Sequence, residues 1–104
     1  ENRIRFFSIE GHAYAGDPGH DLVCASVSVL SQTAILALDE VGKVDIKFCI
    51  EDGYLSCSLP ADIDDVKRER ADIILDTIII GLKGIEEQYS EYITLHNEEV
   101  RAWY

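Results

Sequence analysis

The chain opens with a segment in which apolar and polar residues alternate, the pattern of a β-strand that buries one face. From Arg3 to Glu10 the side chains are rich in aromatic and β-branched types, and Ile4, Phe6 and Ser8 fall on one side of the alternation. The segment from Tyr92 to His96 has the same composition. We therefore predict a first strand over 3–10 and a last strand over 92–96, and we find no clear pattern in residues 97–104.

Two further alternating runs are separated by Asp52-Gly53, the residue pair preferred in a two-residue type I′ turn. Such a turn pairs Glu51 with Tyr54 and brings the apolar residues of both strands onto one face of a hairpin. It also puts Cys49 and Cys57 on opposite faces, which argues against a disulfide or a shared metal ion. The expected cross-strand pairs are Ile50 with Leu55, Phe48 with Cys57 and Ile46 with Leu59.

Two longer segments have apolar residues at helical spacing. We predict that the first helix starts with Asp21 as its N-cap and ends near Val41-Gly42. The second spans Ala61 to Tyr89, with Asp62 or Asp64 as its cap. The predicted core-facing residues are Leu22, Ala25, Val29, Leu30, Ala34, Leu36 and Leu38 in the first helix and Ala71, Ile74, Leu75, Ile78, Leu82, Ile85 and Tyr89 in the second.

The second helix has more apolar residues than one buried face requires. Ile73, Ile79 and Ile80 widen its stripe beyond what a single sheet face covers. A two-fold interface with a second copy of the chain would bury them, so we predict a homodimer.

The order of these elements predicts an α+β fold of two layers, with both helices packed on one face of a mixed, largely antiparallel sheet. A chain of 104 residues is long enough for one hydrophobic core and too short for two, so residues 1–104 should form a single domain. No apolar run reaches the roughly eighteen residues that cross a bilayer, because Asp76 and Thr77 interrupt Ile73 to Ile80.

The net charge of −11 argues against nucleic acid or an anionic membrane as a partner and favours a basic protein. Hydrophobic residues make up 47% of the chain, which indicates a globular protein. None of the three cysteines stands in a C-x-x-C pair and no secretory signal opens the chain, so we expect reduced thiols in the cytoplasm.

Candidate chemistry is concentrated between the first strand and the first helix. Nucleophilic thiol catalysis needs a thiolate, a base and a group that orients the base. Cys24, His12 and Asp21 supply these types within thirteen residues. With Asp21 as N-cap, Cys24 would be the third helical residue, where the helix dipole favours the thiolate.

Other interpretations of the same residues stay open. Asp21 could serve only as a cap, and His20 competes with His12 as the base. A zinc site formed by His12, His20, Asp21 and Cys24 is less favoured, because structural zinc sites usually have more than one thiolate. Phosphate binding is also less favoured, because the glycine spacing is not that of a nucleotide motif and no lysine follows.

The run Gly11-His12-Ala13, a short glycine-rich loop, and then Gly19-His20-Asp21-Leu22-Val23-Cys24-Ala25-Ser26-Val27-Ser28 resembles the signature of the ribosomal-processing cysteine protease (Prp) family. Ile85 to Tyr89 resembles the end of the second helix in that family. The resemblance implies that His12 and Cys24 are the catalytic pair and that Asp21 assists them. It also implies a further strand before residue 1.

The function implied is that of a cysteine endopeptidase that removes the N-terminal extension of a bacterial large-subunit ribosomal protein. The N–H groups of Cys24 and Ala25 would hold the oxyanion. We expect no metal and no cofactor, and the loop from Ala13 to His20 should be mobile. The alternative is a non-catalytic acidic module that binds a basic ribosomal protein or assembly factor. Residues expected to border the bound peptide are Gly11, Ala13, Gly16, Gly19, Ala25 and Ser28.

Overall fold

The structure is a computed structural model that describes residues 4–11, 18–51, 53–90, 94–96 and 101–103. These residues form two helices and five strands. In chain order the elements are β1 (Phe6–Glu10), α1 (Pro18–Glu40), β2 (Lys47–Glu51), β3 (Tyr54–Ser58), α2 (Asp65–Gln88), β4 (Thr94–His96) and β5 (Arg101–Trp103).

The five described strands form one sheet in the order β2-β3-β1-β5-β4. Only the β1–β5 pair is parallel among the pairings described, which confirms a mixed, largely antiparallel sheet. Ala34 of α1 and Leu75 of α2 border the same apolar space above Phe7 and Ile9 of β1. Both helices therefore lie on one face of the sheet, as predicted.

The inner face of β1 is not the one that the alternation indicated. Phe7 and Ile9 are buried in the core, whereas Phe6 lies on the opposite face. Ile4 also packs against the core, although it is three residues from Phe7. The chain bends at Arg5, before the strand begins, and the bend shifts the phase of the alternation.

The hairpin register predicted from the Asp-Gly turn is confirmed for the pairs Glu51–Tyr54, Ile50–Leu55 and Phe48–Cys57. Ile46 and Leu59 lie beyond the strand ends. Gly53 has a φ of 75°, the left-handed conformation that such a turn requires. The apolar residues of β2 are nevertheless exposed, because β2 is the edge strand and the helices cover the strands beside it.

The first helix begins earlier than predicted and buries a different face. It starts at Pro18, a residue favoured at the first helical position, because its fixed φ suits a helix and it has no N–H to leave unpaired. Leu22, Val29 and Leu36 are exposed, contrary to prediction. Apolar residues occur on every side of α1, so their spacing alone does not identify its buried side. The buried residues of this helix are Val23, Val27, Ser31, Ala34, Ile35 and Leu38.

Contrary to prediction, α1 is long and apolar enough to cross a membrane, by length and composition alone. Leu22–Glu40 has a mean hydropathy of 1.7 and is the one such window among the described helices. This is weak evidence, because a core helix passes the same test. In this fold Val23, Val27 and Leu38 of α1 are fully buried against the sheet and α2.

The second helix spans Asp65–Gln88, four residues later at its start than the predicted Ala61, and its N-cap is Asp64, one of the two predicted caps. The Asp64 carboxylate accepts a hydrogen bond from the Lys67 N–H at 2.9 Å. Gly81 lies beside Leu30 of α1, and Gly42, just past the end of α1, lies beside Ile74, so the two helices run antiparallel. The predicted inner residues of α2 are buried or packed against the core.

The last strand, β5, was not predicted. It pairs with β1 on one side and with β4 on the other, so it lies inside the sheet. Its three residues are too few to show an alternation. Only the pairing with β1 and β4 makes this segment a strand.

Candidate active site

The end of β1 is held by the turn of the hairpin. The Gly11 N–H donates a hydrogen bond of 3.0 Å to the Gly53 carbonyl oxygen. A Cβ atom on Gly53 would lie 2.6 Å from the Gly11 carbonyl oxygen, so only glycine fits this contact. His12 follows Gly11 directly in the sequence. The contact thus fixes the backbone from which the candidate base extends, although His12, Ala13 and Gly16 lie outside the described residues.

Cys24 lies in the second turn of α1, not at its third residue as predicted. Its side chain is half-buried between fully buried Val23 on one side and exposed Ala25 on the other. Because α1 starts at Pro18, the N–H groups of Cys24 and Ala25 donate to carbonyls four residues earlier. The prediction that these two groups hold an oxyanion is therefore wrong.

Asp21 is the fourth residue of α1 and not its N-cap. An acidic residue in the first turn is still favoured by the helix dipole. His20, predicted to be a loop residue, belongs to α1, as does Asp21; the two residues stand four and three positions before Cys24 in the helix.

A groove lies between α1 and the β2–β3 hairpin. We call it the hairpin groove. Buried Ile9 and Leu55 form its base, and Ser28 and Gln32 line it from α1. On the hairpin side it is lined by Ile50, Gly53 and Tyr54.

Of the residues expected to border a peptide, Ser28 lines this groove, whereas Ala25 faces solvent. Gly11 ends β1 beside the hairpin turn, and Gly19 is the second residue of α1. Sequence reasoning missed Gln32, Ile50 and Tyr54. No sequence signal identifies them, because the groove exists only where the hairpin packs beside α1.

The other two cysteines have environments unlike that of Cys24. Cys57 is buried in the core, and burial raises the pKa of its thiol to about 11. Cys49 is exposed on β2, where desolvation and then the neighbouring Glu51 carboxylate raise the pKa of its thiol. In the described part of the chain no three His, Cys, Asp or Glu side chains cluster as metal ligands would.

A helix-borne, half-buried thiol one turn from a groove, with histidine-bearing segments nearby in the chain, is an arrangement suited to nucleophilic thiol chemistry. The class of protein to which the chain belongs is the cysteine peptidases, as the family match shows. The family model for cysteine protease Prp matches residues 1–94. The chain therefore belongs to the Prp family of cysteine proteases.

Two curated relatives are named ribosomal processing cysteine protease Prp. The one from Staphylococcus aureus (strain Mu50 / ATCC 700699) is 32% identical over 99 residues, which cover 92% of this chain and 89% of the relative. The one from Bacillus subtilis (strain 168) is 29% identical over 90 residues, which cover 85% of this chain and 80% of the relative.

The fold is also found in a solved structure of the essential ribosomal processing protease Prp from S. aureus in complex with a substrate peptide. That structure has a TM-score of 0.69 and 23% identity, and the match covers 88% of this chain and 97% of the other. A structure of the same protease with a covalently linked product peptide has a TM-score of 0.66 and 22% identity, with 95% and 99% covered.

Proposed function

We propose that this cysteine protease processes a ribosomal protein, removing the N-terminal extension of a bacterial large-subunit ribosomal protein during ribosome maturation. The observation that carries the proposal is the half-buried thiol of Cys24, one helical turn from the hairpin groove, in a chain whose relatives are named for ribosomal processing. A protease related to this chain in fold has been solved with a substrate peptide, which supports a peptide ligand.

In the proposed reaction the Cys24 thiolate attacks the scissile carbonyl carbon and forms a tetrahedral intermediate. His12 holds the thiol proton and transfers it to the leaving amine as the peptide bond breaks, which leaves an acyl-enzyme for water to hydrolyse. Asp21 orients the imidazole from the first turn of α1.

Stabilisation of the oxyanion falls to N–H groups that the helix itself does not use. The first four residues of a helix have no carbonyl partner within it, and Pro18 has no N–H. The available donors are therefore those of Gly19 and His20, because the N-cap residue counts as the first of the four. Side chains on a helix lean toward its N-terminus, so the Cys24 sulfur leans toward these donors.

The proposed location is the cytoplasm, and the overall charge supports a basic partner. A net charge of −11 attracts basic proteins, of which ribosomal proteins are typical, and repels ribosomal RNA. The encounter should therefore weaken as salt rises, because exposed charges are screened.

We also propose that the protein is a homodimer. Val66, Ile73 and Ile80 are 61%, 62% and 72% exposed at seven-residue intervals along the outer side of α2. We call these three residues the α2 stripe. Ile79, which the sequence grouped with them, instead borders the apolar space above β1. A two-fold axis beside α2 would bury the α2 stripe against its copy.

The proposed function is tested with a purified ribosomal-protein precursor from the same source and mass spectrometry of the precursor with and without the enzyme. The expected result is one cut that shortens the N-terminus. Binding of the precursor without any cut would favour the non-catalytic acidic module instead.

A further inference from the structure

We infer that the outer side of α1 is a docking surface for a basic segment of the ribosomal-protein substrate, at a distance from the bond that is cut. Leu22, Val29 and Leu36 form this surface, which we call the α1 stripe. The inference rests on the proposed function and adds to it a second contact between enzyme and substrate.

The α1 stripe is apolar and faces away from the core. Leu22, Val29 and Leu36 are 52%, 65% and 56% exposed and follow one another at seven-residue intervals, or about two helical turns. Val27 and Leu38, both fully buried, lie on the opposite side of the helix. The fold therefore leaves a row of apolar side chains about 21 Å long in solvent, a feature that marks interaction sites on protein surfaces.

The charge near the α1 stripe favours a basic partner. The 23 residues of α1 include no Lys or Arg. Exposed Glu40 lies one turn beyond Leu36 on the same side of the helix, and its neighbour Asp39 is also exposed. Such a surface complements a segment in which apolar side chains stand among Lys and Arg.

The α2 stripe differs in this respect. Exposed Glu69 and Arg70 lie between Val66 and Ile73, so charges of both signs border it. Two copies of the α2 stripe can therefore meet with opposite charges facing each other. Two copies of the α1 stripe would bring only carboxylates together, which argues against a second copy of this chain as its occupant.

The position of the α1 stripe relative to Cys24 fits a substrate. Leu22 is two residues before Cys24, whereas Leu36 is twelve residues after it, or about 18 Å along the helix. An extended chain needs about six residues to cover that distance. A precursor that is cut at Cys24 can therefore reach the far end of the α1 stripe only with residues at least about six positions from the scissile bond.

The test compares two substrates of the same enzyme. One is the purified ribosomal-protein precursor, and the other is a quenched fluorescent peptide that extends only about three residues to either side of the cleavage site mapped by mass spectrometry, too short to reach Leu36. The variants are Val29→Lys, Leu36→Lys and Leu36→Glu. Val41→Lys is the matched control, because Val41 is 65% exposed but lies just past the end of α1.

We expect Val29→Lys and Leu36→Lys each to lower kcat/KM for the precursor about 5-fold, mainly through KM. The same variants should cut the short peptide within about twofold of the unmodified enzyme, which also shows that they are folded. Leu36→Glu should lose less than Leu36→Lys, because only lysine repels a basic partner. Val41→Lys should change kcat/KM for either substrate by less than about twofold.

Equal losses with the precursor and the short peptide would overturn the docking surface, because the substitutions would then act on the site of cleavage. An equal loss in Val41→Lys, or a larger loss in Leu36→Glu than in Leu36→Lys, would also overturn it. A smaller sedimenting species in Leu36→Lys with unchanged cleavage of the precursor would assign the α1 stripe to a second copy instead. All these outcomes leave the proposed function standing, whereas failure of the unmodified enzyme to cut the precursor would overturn both.

Discussion

The carbonyl oxygen of Gly53 accepts a hydrogen bond from the N–H of Gly11, at 3.0 Å, and so joins the turn of the hairpin to the end of β1. Gly11 is followed in the sequence by His12, and Gly53 lines the hairpin groove. The segment that leads to the proposed base is thus attached to the hairpin turn through two glycines.

Replacement of Gly53 by alanine should reduce catalysis more than it reduces stability. The added Cβ would lie 2.6 Å from the Gly11 carbonyl oxygen and must displace the backbone next to His12. A displacement of about 1 Å at a catalytic group can cost about 100-fold in rate. Steady-state kinetics and denaturant unfolding of the same variant measure the two effects.

Two controls isolate the cause. Asn tolerates a left-handed φ but has a Cβ atom. If the close approach of that Cβ to the Gly11 carbonyl oxygen is the cause, Gly53→Asn should lose activity as Gly53→Ala does. If backbone strain alone is the cause, Gly53→Asn should keep its activity. Gly84 has no neighbour within 4 Å of a Cβ, so Gly84→Ala should leave activity unchanged and stabilise α2 by about 1 kcal/mol.

Iodoacetamide should modify Cys24 rapidly near neutral pH, and cleavage should be lost in step with that modification. The experiment is best done in a Cys49→Ser background, which removes the exposed thiol of β2. Cys57 should not react, because it is buried and its pKa is raised to about 11. Mass spectrometry of the alkylated protein identifies the modified residue.

Cys24→Ala should abolish both modification and cleavage while retaining the fold, because alanine is the best helix former. Cleavage above background by this variant would exclude Cys24 as the nucleophile. His12→Ala and His20→Ala, compared in the same assay, decide which of the two histidines is the base.

Charge introduced into the α2 stripe should dissociate the proposed dimer. Ile73→Glu and Ile80→Glu together would place like charges at the two-fold axis, and both positions are exposed in the monomer, so folding should be retained. Val41→Glu is the control, because Val41 is 65% exposed but lies just past the end of α1. Sedimentation of the unmodified protein as an 11.7 kDa species at micromolar concentration would contradict the dimer.

The free energy of unfolding should fall at alkaline pH through Cys57. Burial raises the pKa of this thiol from 9.0 to about 11 in the folded protein. Its contribution to stability is therefore present in full below pH 9 and is lost as the pH rises to about 11. Unfolding in urea should show the unmodified protein losing stability relative to Cys57→Ala over this range, by an amount on the order of 1 kcal/mol. Parallel curves for the two proteins would contradict this assignment.

Local signals in the sequence determined several parts of the structure. The Asp52-Gly53 pair set the hairpin register, because a two-residue turn leaves one pairing of the flanking strands. Asp64 determined where α2 begins, because a carboxylate before a helix accepts an unpaired N–H. The Gly11-His12 pair and the run from Val23 to Ser26 were sufficient to indicate the family. Residues 12–17, which include this histidine, lie outside the described structure.

Tertiary structure decided what depends on contact between distant segments. The buried side of α1 could not be predicted, because Val23 and Leu22 are both apolar and only the position of the sheet makes one of them core. The start of α1 at Pro18 moved Cys24 into the second turn, and a three-residue strand near the C-terminus became part of the sheet by pairing with β1. The hairpin groove and the Gly11–Gly53 contact likewise require β1, α1 and the hairpin to meet in space. The family signature suggested Gly11 and Ser28, but nothing in the sequence indicated that Gln32, Ile50 and Tyr54 border the same groove.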